Sequence, residues 1–192
     1  MTVILGAIDK GTIYMGSDSQ VTYGNTKRIV KDLKVFKKGD MLFGVCGTPR
    51  LIQLLNFSLS IPEHPKRFTD YAYISSEFVD AVRCCFKTGG YSHIENNEEK
   101  GGNFLIAYHN RIYNIDYNFS VSAFEGECMA VGVGDESAIG AYMAFREMKL
   151  SVKESIRMAI EITCEVNICC SLPVVIKSLK YEKDNQLKDF NK

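Results

Sequence analysis

Thr2-Val3-Ile4-Leu5-Gly6-Ala7-Ile8-Asp9-Lys10-Gly11-Thr12-Ile13-Tyr14-Met15-Gly16-Ser17-Asp18 follows directly on Met1. Residues 2–8 are apolar and rich in β-branched side chains. Asp9-Lys10-Gly11 has turn chemistry, and 12–18 resume the strand pattern, so the stretch reads as a β-hairpin. If the turn centres on Lys10, Ile4 faces Gly16 and Thr2 faces Asp18. Opposed residues lie about 4.5–5.5 Å apart and share a face. The expected register therefore sets a carboxylate beside Thr2.

Working outward, the polar stretch 22–26 with Gly24-Asn25 reads as a loop, followed by a second hairpin with arms 29–36 and 41–46. Gly47-Thr48-Pro49 closes the sheet edge, and Pro49 suits the first turn of a helix running to Leu55. Pro62 and Pro65 mark a loop, and residues 70–86 keep helical apolar spacing through Tyr73, Phe78, Val79, Val82 and Phe86. The polar, acidic segment 87–102 reads as an exposed loop. Strands are expected at 104–109, 111–117 and 128–133, helices at 137–148 and 152–169, and a last strand at 173–178. Ser151 with Glu154 forms a capping-box pattern ahead of the second of these helices. Residues 181–192 read as a polar, flexible tail. Strands and helices are segregated rather than alternating, which predicts an α+β fold of mainly antiparallel sheet. No repeat or linker divides 1–192, so one domain is expected.

Composition narrows the function. Among 192 residues, 23 Lys+Arg balance 23 Asp+Glu, giving a net charge of zero. That leaves no basic excess for phosphates, so a nucleic-acid partner is not expected, and little self-repulsion opposes association. No apolar run reaches the ~18 residues of a membrane span and no signal peptide is recognised, so a cytoplasmic protein without a membrane is the expectation. The seven cysteines are odd in number and form no CxxC pair. His64, His93 and His109 lack zinc-ligand spacing and read as unrelated, so reduced thiols and no thiol-based metal site are expected.

Thr2 stands out chemically. A small residue behind the initiator allows Met1 to be trimmed, which makes threonine the terminus. A terminal threonine joins a hydroxyl nucleophile to an α-amine of pKa about 7.7–8.0. Such an amine can take the hydroxyl proton near neutral pH, so one residue supplies both nucleophile and general base.

Further residues extend the pattern: Gly16-Ser17-Asp18-Ser19-Gln20-Val21-Thr22, then Lys31-Asp32-Leu33-Lys34-Val35, then Leu42-Phe43-Gly44-Val45-Cys46-Gly47. Here the chain resembles the proteasome-type N-terminal-threonine peptidases, most closely their bacterial HslV branch. The match is ungapped from Thr2 to Lys34 and continues with one small gap through Gly47. It resumes at Ala130-Val131-Gly132-Val133-Gly134 and over 159–170, while 56–103 agrees only in layout. The resemblance implies a four-layer αββα sandwich, two antiparallel sheets between helix layers, in the N-terminal-nucleophile hydrolase fold. It implies Thr2 as nucleophile, Lys34 beside its hydroxyl, Asp18 orienting Lys34, and the Gly47 backbone N–H as oxyanion donor. Glu165 takes the place of a late aspartate that supports the amine, Val133 replaces a family serine, and Ile168 replaces another serine that the HslV branch also lacks.

The same resemblance implies a threonine endopeptidase working inside stacked homo-oligomeric rings on protein or peptide substrates. No cofactor is required for the chemistry. A structural monovalent cation such as Na+ is implied on the backbone carbonyls of Cys164, Asn167 and Cys170. The chain has no P-loop, so ATP-driven feeding would fall to a separate ATPase unfoldase. Two alternatives stay open at this point: a catalytically inactive assembly protein on the same fold, and an amidase acting on small amides.

Overall fold

The computed structural model describes residues 2–30, 34–123 and 126–181. The tail expected at 181–192 therefore lies outside the described residues from 182 onward. The opening hairpin forms as β1 (Val3–Asp9) and β2 (Thr12–Ser17). Its register differs by one from the expectation: Ile4 pairs with Ser17 and Leu5 with Gly16. The turn is the reason. Lys10 and Gly11 both take positive φ, 46° and 78°, so a two-residue turn centres between them rather than on Lys10. Asp18 consequently falls opposite Val3, not Thr2: the Val3 amide donates to Asp18 Oδ1 at 3.1 Å, and the Asp18 amide approaches the Val3 carbonyl at 3.4 Å.

The expected loop at 22–26 is the tip of a further hairpin, β3 (Gln20–Tyr23) with β4 (Thr26–Ile29). The next pair is β5 (Val35–Lys38) and β6 (Met41–Cys46). Helix α1 (Pro49–Gln53) starts on a Thr48 cap and continues as a π turn, Leu54–Ser58. The long helix expected at 70–86 is α2 (Asp70–Tyr73), a π turn (Ile74–Phe78) and α3 (Val79–Thr88) in succession. Segment 87–102 is not simply a loop, because it carries the hairpin β7 (His93–Glu95) and β8 (Glu98–Lys100). Then come β9 (Asn103–Tyr108), β10 (Arg111–Ile115), β11 (Val121–Ala123) and β12 (Cys128–Gly132), helices α4 (Asp135–Glu147) and α5 (Val152–Val166), and β13 (Val175–Lys180).

Two antiparallel sheets result, in the orders β12-β1-β2-β13 and β11-β10-β9-β6-β5. Three apolar cores separate four layers. Ile4, Met15 and Val131 of the first sheet meet Leu42, Leu105 and Ile112 of the second. Val3, Leu5 and Ala7, on the other face of β1, pack under Tyr142, Ile156 and Ile160 of α4 and α5. Phe43, Phe104 and Tyr113 of the second sheet are covered by Leu55, Phe78 and Phe86 of the other helix layer. This is the αββα arrangement expected. It explains why β1 and β6 read as continuous apolar runs, since both of their faces are buried. Gly44 marks a close approach of the sheets: a Cβ there would lie 2.5 Å from Ile4 and 2.3 Å from Met15.

Helix α5 ends at Val166, three residues before the expected 169, because Asn167 leaves the helix and turns its side chain to the Val133 carbonyl and the Cys169 amide. Of the capping box only one half forms. Ser151 accepts the Glu154 amide at 3.2 Å, while the Glu154 carboxylate pairs with Arg157.

Candidate active site

At the ends of β1 and β2 the two sheets hold Thr2, Asp18 and Lys34, each at most 3% exposed. Lys34 precedes β5, and its carbonyl accepts the Val45 amide at 2.8 Å, so the ladder with β6 fixes its backbone. Its ammonium reaches across to Asp18 Oδ1 at 2.7 Å. That same oxygen accepts the Val3 amide, one residue from Thr2. The other oxygen, Oδ2, accepts the amides of Gln20 at 2.9 Å and Ser171 at 3.3 Å. A buried carboxylate with four donors, one of them cationic, is fully engaged and fixed in orientation.

The Thr2 hydroxyl is buried and has no hydrogen-bond partner among the described residues. Buried hydroxyls are normally partnered, so this orphan in a polar setting is the unusual feature. Gly132 lies over the Thr2 backbone. With φ at 108°, a Cβ on it would stand 2.1 Å from the Thr2 carbonyl oxygen and 3.2 Å from Cys46 Sγ. Only glycine fits there. The Cys46 thiol is pushed up in pKa, mainly by burial, against the opposing pull of Lys34 nearby. Gly47 follows Cys46, is exposed, and has φ of 153°.

The geometry thus brings together Thr2, Asp18 and Lys34, with Gly47 one residue beyond the Cys46 that borders them. Glu165 is not gathered in: it is exposed on the last turn of α5, and no hydrogen bond or ion pair joins it to those three among the described residues. The turn after α5 closes on itself. The Asn167 carbonyl already accepts the Cys170 amide at 3.0 Å, and none of the orphaned buried side-chain atoms among the described residues lies in this turn. No observation in the Cys164–Asn167–Cys170 set therefore calls for an ion. Gln20, Cys46, Gly132 and Ser171 were not singled out from the sequence as site residues.

His64 and His109 are not in unrelated settings, because both face Asp70, at 3.7 and 2.9 Å. No group of three or more His, Cys, Asp or Glu among the described residues could hold a metal ion.

Solved structures share this architecture over nearly the whole chain. The BPH of Thiobacillus denitrificans matches with a TM-score of 0.79 at 21% identity, covering 95% of this chain and 100% of that one. The same protein in complex with epoxomicin gives 0.78 at 20% identity over the same spans. The eukaryotic HslV of Trypanosoma brucei gives 0.65 at 17% identity, covering 93% of this chain and 99% of that one. The fold is that of the HslV-type subunits. No family model matches the sequence, and no curated protein matches it significantly. At these identities the HslV-type likeness speaks for the fold, and the roles of individual residues rest on the geometry above. No helix among the described residues is long and apolar enough to cross a membrane.

Proposed function

We propose that this chain is a threonine endopeptidase working by acyl transfer. The observation that carries the reading is the sealed Lys34–Asp18 pair at 2.7 Å, tied through Asp18 Oδ1 to the Val3 amide next to Thr2, whose buried hydroxyl has no partner among the described residues. Removal of Met1 frees the Thr2 amine. The Thr2 oxygen then attacks the peptide carbonyl carbon while its proton passes to that amine, and the Lys34 charge lowers the cost of the developing alkoxide. By the resemblance, the Gly47 N–H is the oxyanion donor. The carbon–nitrogen bond breaks as the departing amine takes the proton from the Thr2 ammonium. Water next attacks the ester carbonyl, giving a proton to the amine; the bond from the acyl carbon to the Thr2 oxygen then breaks, that oxygen takes the proton back, and the acid leaves with Thr2 restored. One oxyanion donor typically contributes ~10²–10³ in rate in acyl-transfer enzymes.

The wider reading places the chain in the cytoplasm, in stacked homo-oligomeric rings fed with protein or peptide by a separate ATPase. A structural Na+ on the backbone carbonyls of Cys164, Asn167 and Cys170 belongs to this reading only through the resemblance, since the turn closes on its own hydrogen bond, and no step of the reaction is assigned to such an ion. A second reading, an inactive assembly protein, is favoured by Val133, an apolar side chain 52% exposed where the resemblance places a serine.

Intact mass with and without epoxomicin, the compound bound in the Thiobacillus BPH structure, separates the two. Loss of one methionine together with a stoichiometric adduct, absent in Thr2→Ala, supports the peptidase. Retained Met1 with no adduct and no hydrolysis of peptides overturns it in favour of assembly. Hydrolysis of small amides alone overturns it in favour of an amidase.

A further inference from the structure

Asp18 is held from a direction that the reaction outlined above leaves unexplained. Its Oδ2 accepts the Ser171 amide, and Ser171 lies on the connection between α5 and β13, over 150 residues away in sequence. Ser171 is itself fixed by Gln20, a side chain in a residue only 3% exposed. Gln20 Oε1 accepts the Ser171 hydroxyl at 2.6 Å, and Gln20 Nε2 donates to the Ile168 carbonyl at 3.2 Å and to the Thr22 hydroxyl at 3.0 Å. Neighbouring Ser19 donates its amide to the Ser171 carbonyl at 2.9 Å and its hydroxyl to the Pro173 carbonyl at 2.6 Å. Apolar burial does little for this connection at its flanks, since Ile168 is 91% and Leu172 46% exposed. Hydrogen bonds to residues 18–20 hold it there instead.

We propose that Gln20 and Ser171 form a positioning clasp for the catalytic pair, an inference that rests on the threonine-peptidase reading. Lys34 holds Oδ1 of Asp18, and the clasp holds Oδ2 by keeping the Ser171 amide in place. With both oxygens fixed the carboxylate cannot rotate about its last bond, and the Lys34 ammonium bound to it keeps one place. Neither Gln20 nor Ser171 touches the reacting atoms. Their effect travels through Asp18, where a misplacement of about 1 Å can cost ~10²-fold in rate.

The test compares Gln20→Ala, Ser171→Ala, their double variant and Ser171→Thr with the wild-type chain. It reads kcat and KM for peptide hydrolysis, the rate of epoxomicin adduct formation, and urea unfolding. Gln20→Ala and Ser171→Ala are each expected to lower kcat roughly tenfold with KM within about twofold, because misalignment of a positioned group falls on the transition state. The double variant should fall no further than the worse single one, since groups acting as a unit are non-additive. Ser171→Thr, which keeps the hydroxyl, should recover wild-type kcat. An active wild type whose kcat survives in both alanine variants overturns the clasp alone, as does failure of Ser171→Thr to recover. A wild type that neither hydrolyses peptide nor takes the adduct overturns the peptidase reading and the clasp with it. Should Gln20→Ala fail to fold, the two Ser171 variants decide.

Discussion

The Lys34 ammonium sits 2.7 Å from Asp18 Oδ1, with the two side chains 3% and 0% exposed. A pair buried this deeply is weak evidence for stability, because desolvating two charges offsets much of their attraction. Apolar residues of similar volume would serve a core at least as well. Its presence at the ends of β1 and β2 is accounted for by the proposed peptidase chemistry rather than by packing.

Separating the two contributions gives the first prediction. Lys34→Met keeps volume but strands the Asp18 charge, so it should lose about 3 kcal/mol of stability. Adding Asp18→Asn should return most of that loss while the protein stays unable to form an epoxomicin adduct. Urea unfolding and adduct mass check the pair. A single variant as stable as wild type would show that Asp18 does not need its cation.

Glycine positions give the second. Gly132→Ala forces a Cβ to 2.1 Å from the Thr2 carbonyl at a φ of 108°, where alanine is also strained. The Thr2 backbone must move, so a stability loss of about 2–4 kcal/mol and loss of adduct formation are expected. Gly140→Ala is the control. It lies exposed within α4 with nothing inside 4 Å of its Cβ, and should stabilise by about 0.5–1 kcal/mol. Thermal melts of the two variants should move in opposite directions.

The parts legible in the sequence were those where burial writes a pattern. Val3–Asp9 and Met41–Cys46 announce themselves because both faces of each strand are covered. The hairpin β7–β8 was missed because all of β7 and the start of β8 are exposed, so no apolar alternation exists to read, although Asn96 and Asn97, at φ 50° and 66°, form a turn of the kind that joins such strands. The one-residue register error came from turn geometry, which depends on Lys10 accepting a positive φ. At the site, the family resemblance puts forward Thr2, Asp18, Lys34 and Gly47, and the structure joins Asp18 to Lys34 and to the residue after Thr2. Gln20 and Ser171 could not be named from the sequence, since only tertiary structure brings residues 151 positions apart into contact. His64 and His109 met about Asp70 for the same reason.

That histidine cluster carries the third prediction. His64 stacks on Tyr73 at 4.5 Å between ring centroids, and its ring nitrogens meet the Tyr108 hydroxyl at 3.0 Å and the Phe68 carbonyl at 3.1 Å. The carbonyl can only accept, so Nε2 carries the proton, and in the neutral ring Nδ1 accepts from Tyr108. His64→Ala leaves the Tyr108 hydroxyl without this partner and opens space against Tyr73, and should cost about 2–3 kcal/mol. The site is remote from Thr2, so adduct formation at temperatures below the melt should be unchanged. Urea midpoints and adduct rates check both halves, and a melt within 1 °C of wild type, about the shift a few tenths of a kcal/mol would give, would refute the structural role.

The last prediction concerns alkaline pH. Burial pushes the Cys164 and Cys170 thiols from 9.0 to about 12 and Cys128 to about 11, and the Tyr73, Tyr113 and Tyr142 hydroxyls from 10.0 to about 12. Each group keeps its proton in the folded chain and would lose it sooner if unfolded. Below pH 9 both states hold these protons and the stability is fully present. Between about pH 9 and 12 the folded state binds more protons than the unfolded one, so stability falls as pH rises. The urea midpoint should accordingly be flat from pH 7 to 8.5 and then decline steadily, and a midpoint still unchanged at pH 10.5 would sink the argument. The same burial orders the thiols by reactivity, because the thiolate is the reacting form. At pH 8 exposed Cys84 should be alkylated first in the native protein, with Cys164 and Cys170 reacting only after urea is added. Peptide mass mapping of the labelled chain reads that order directly, and early label on Cys170 would contradict it.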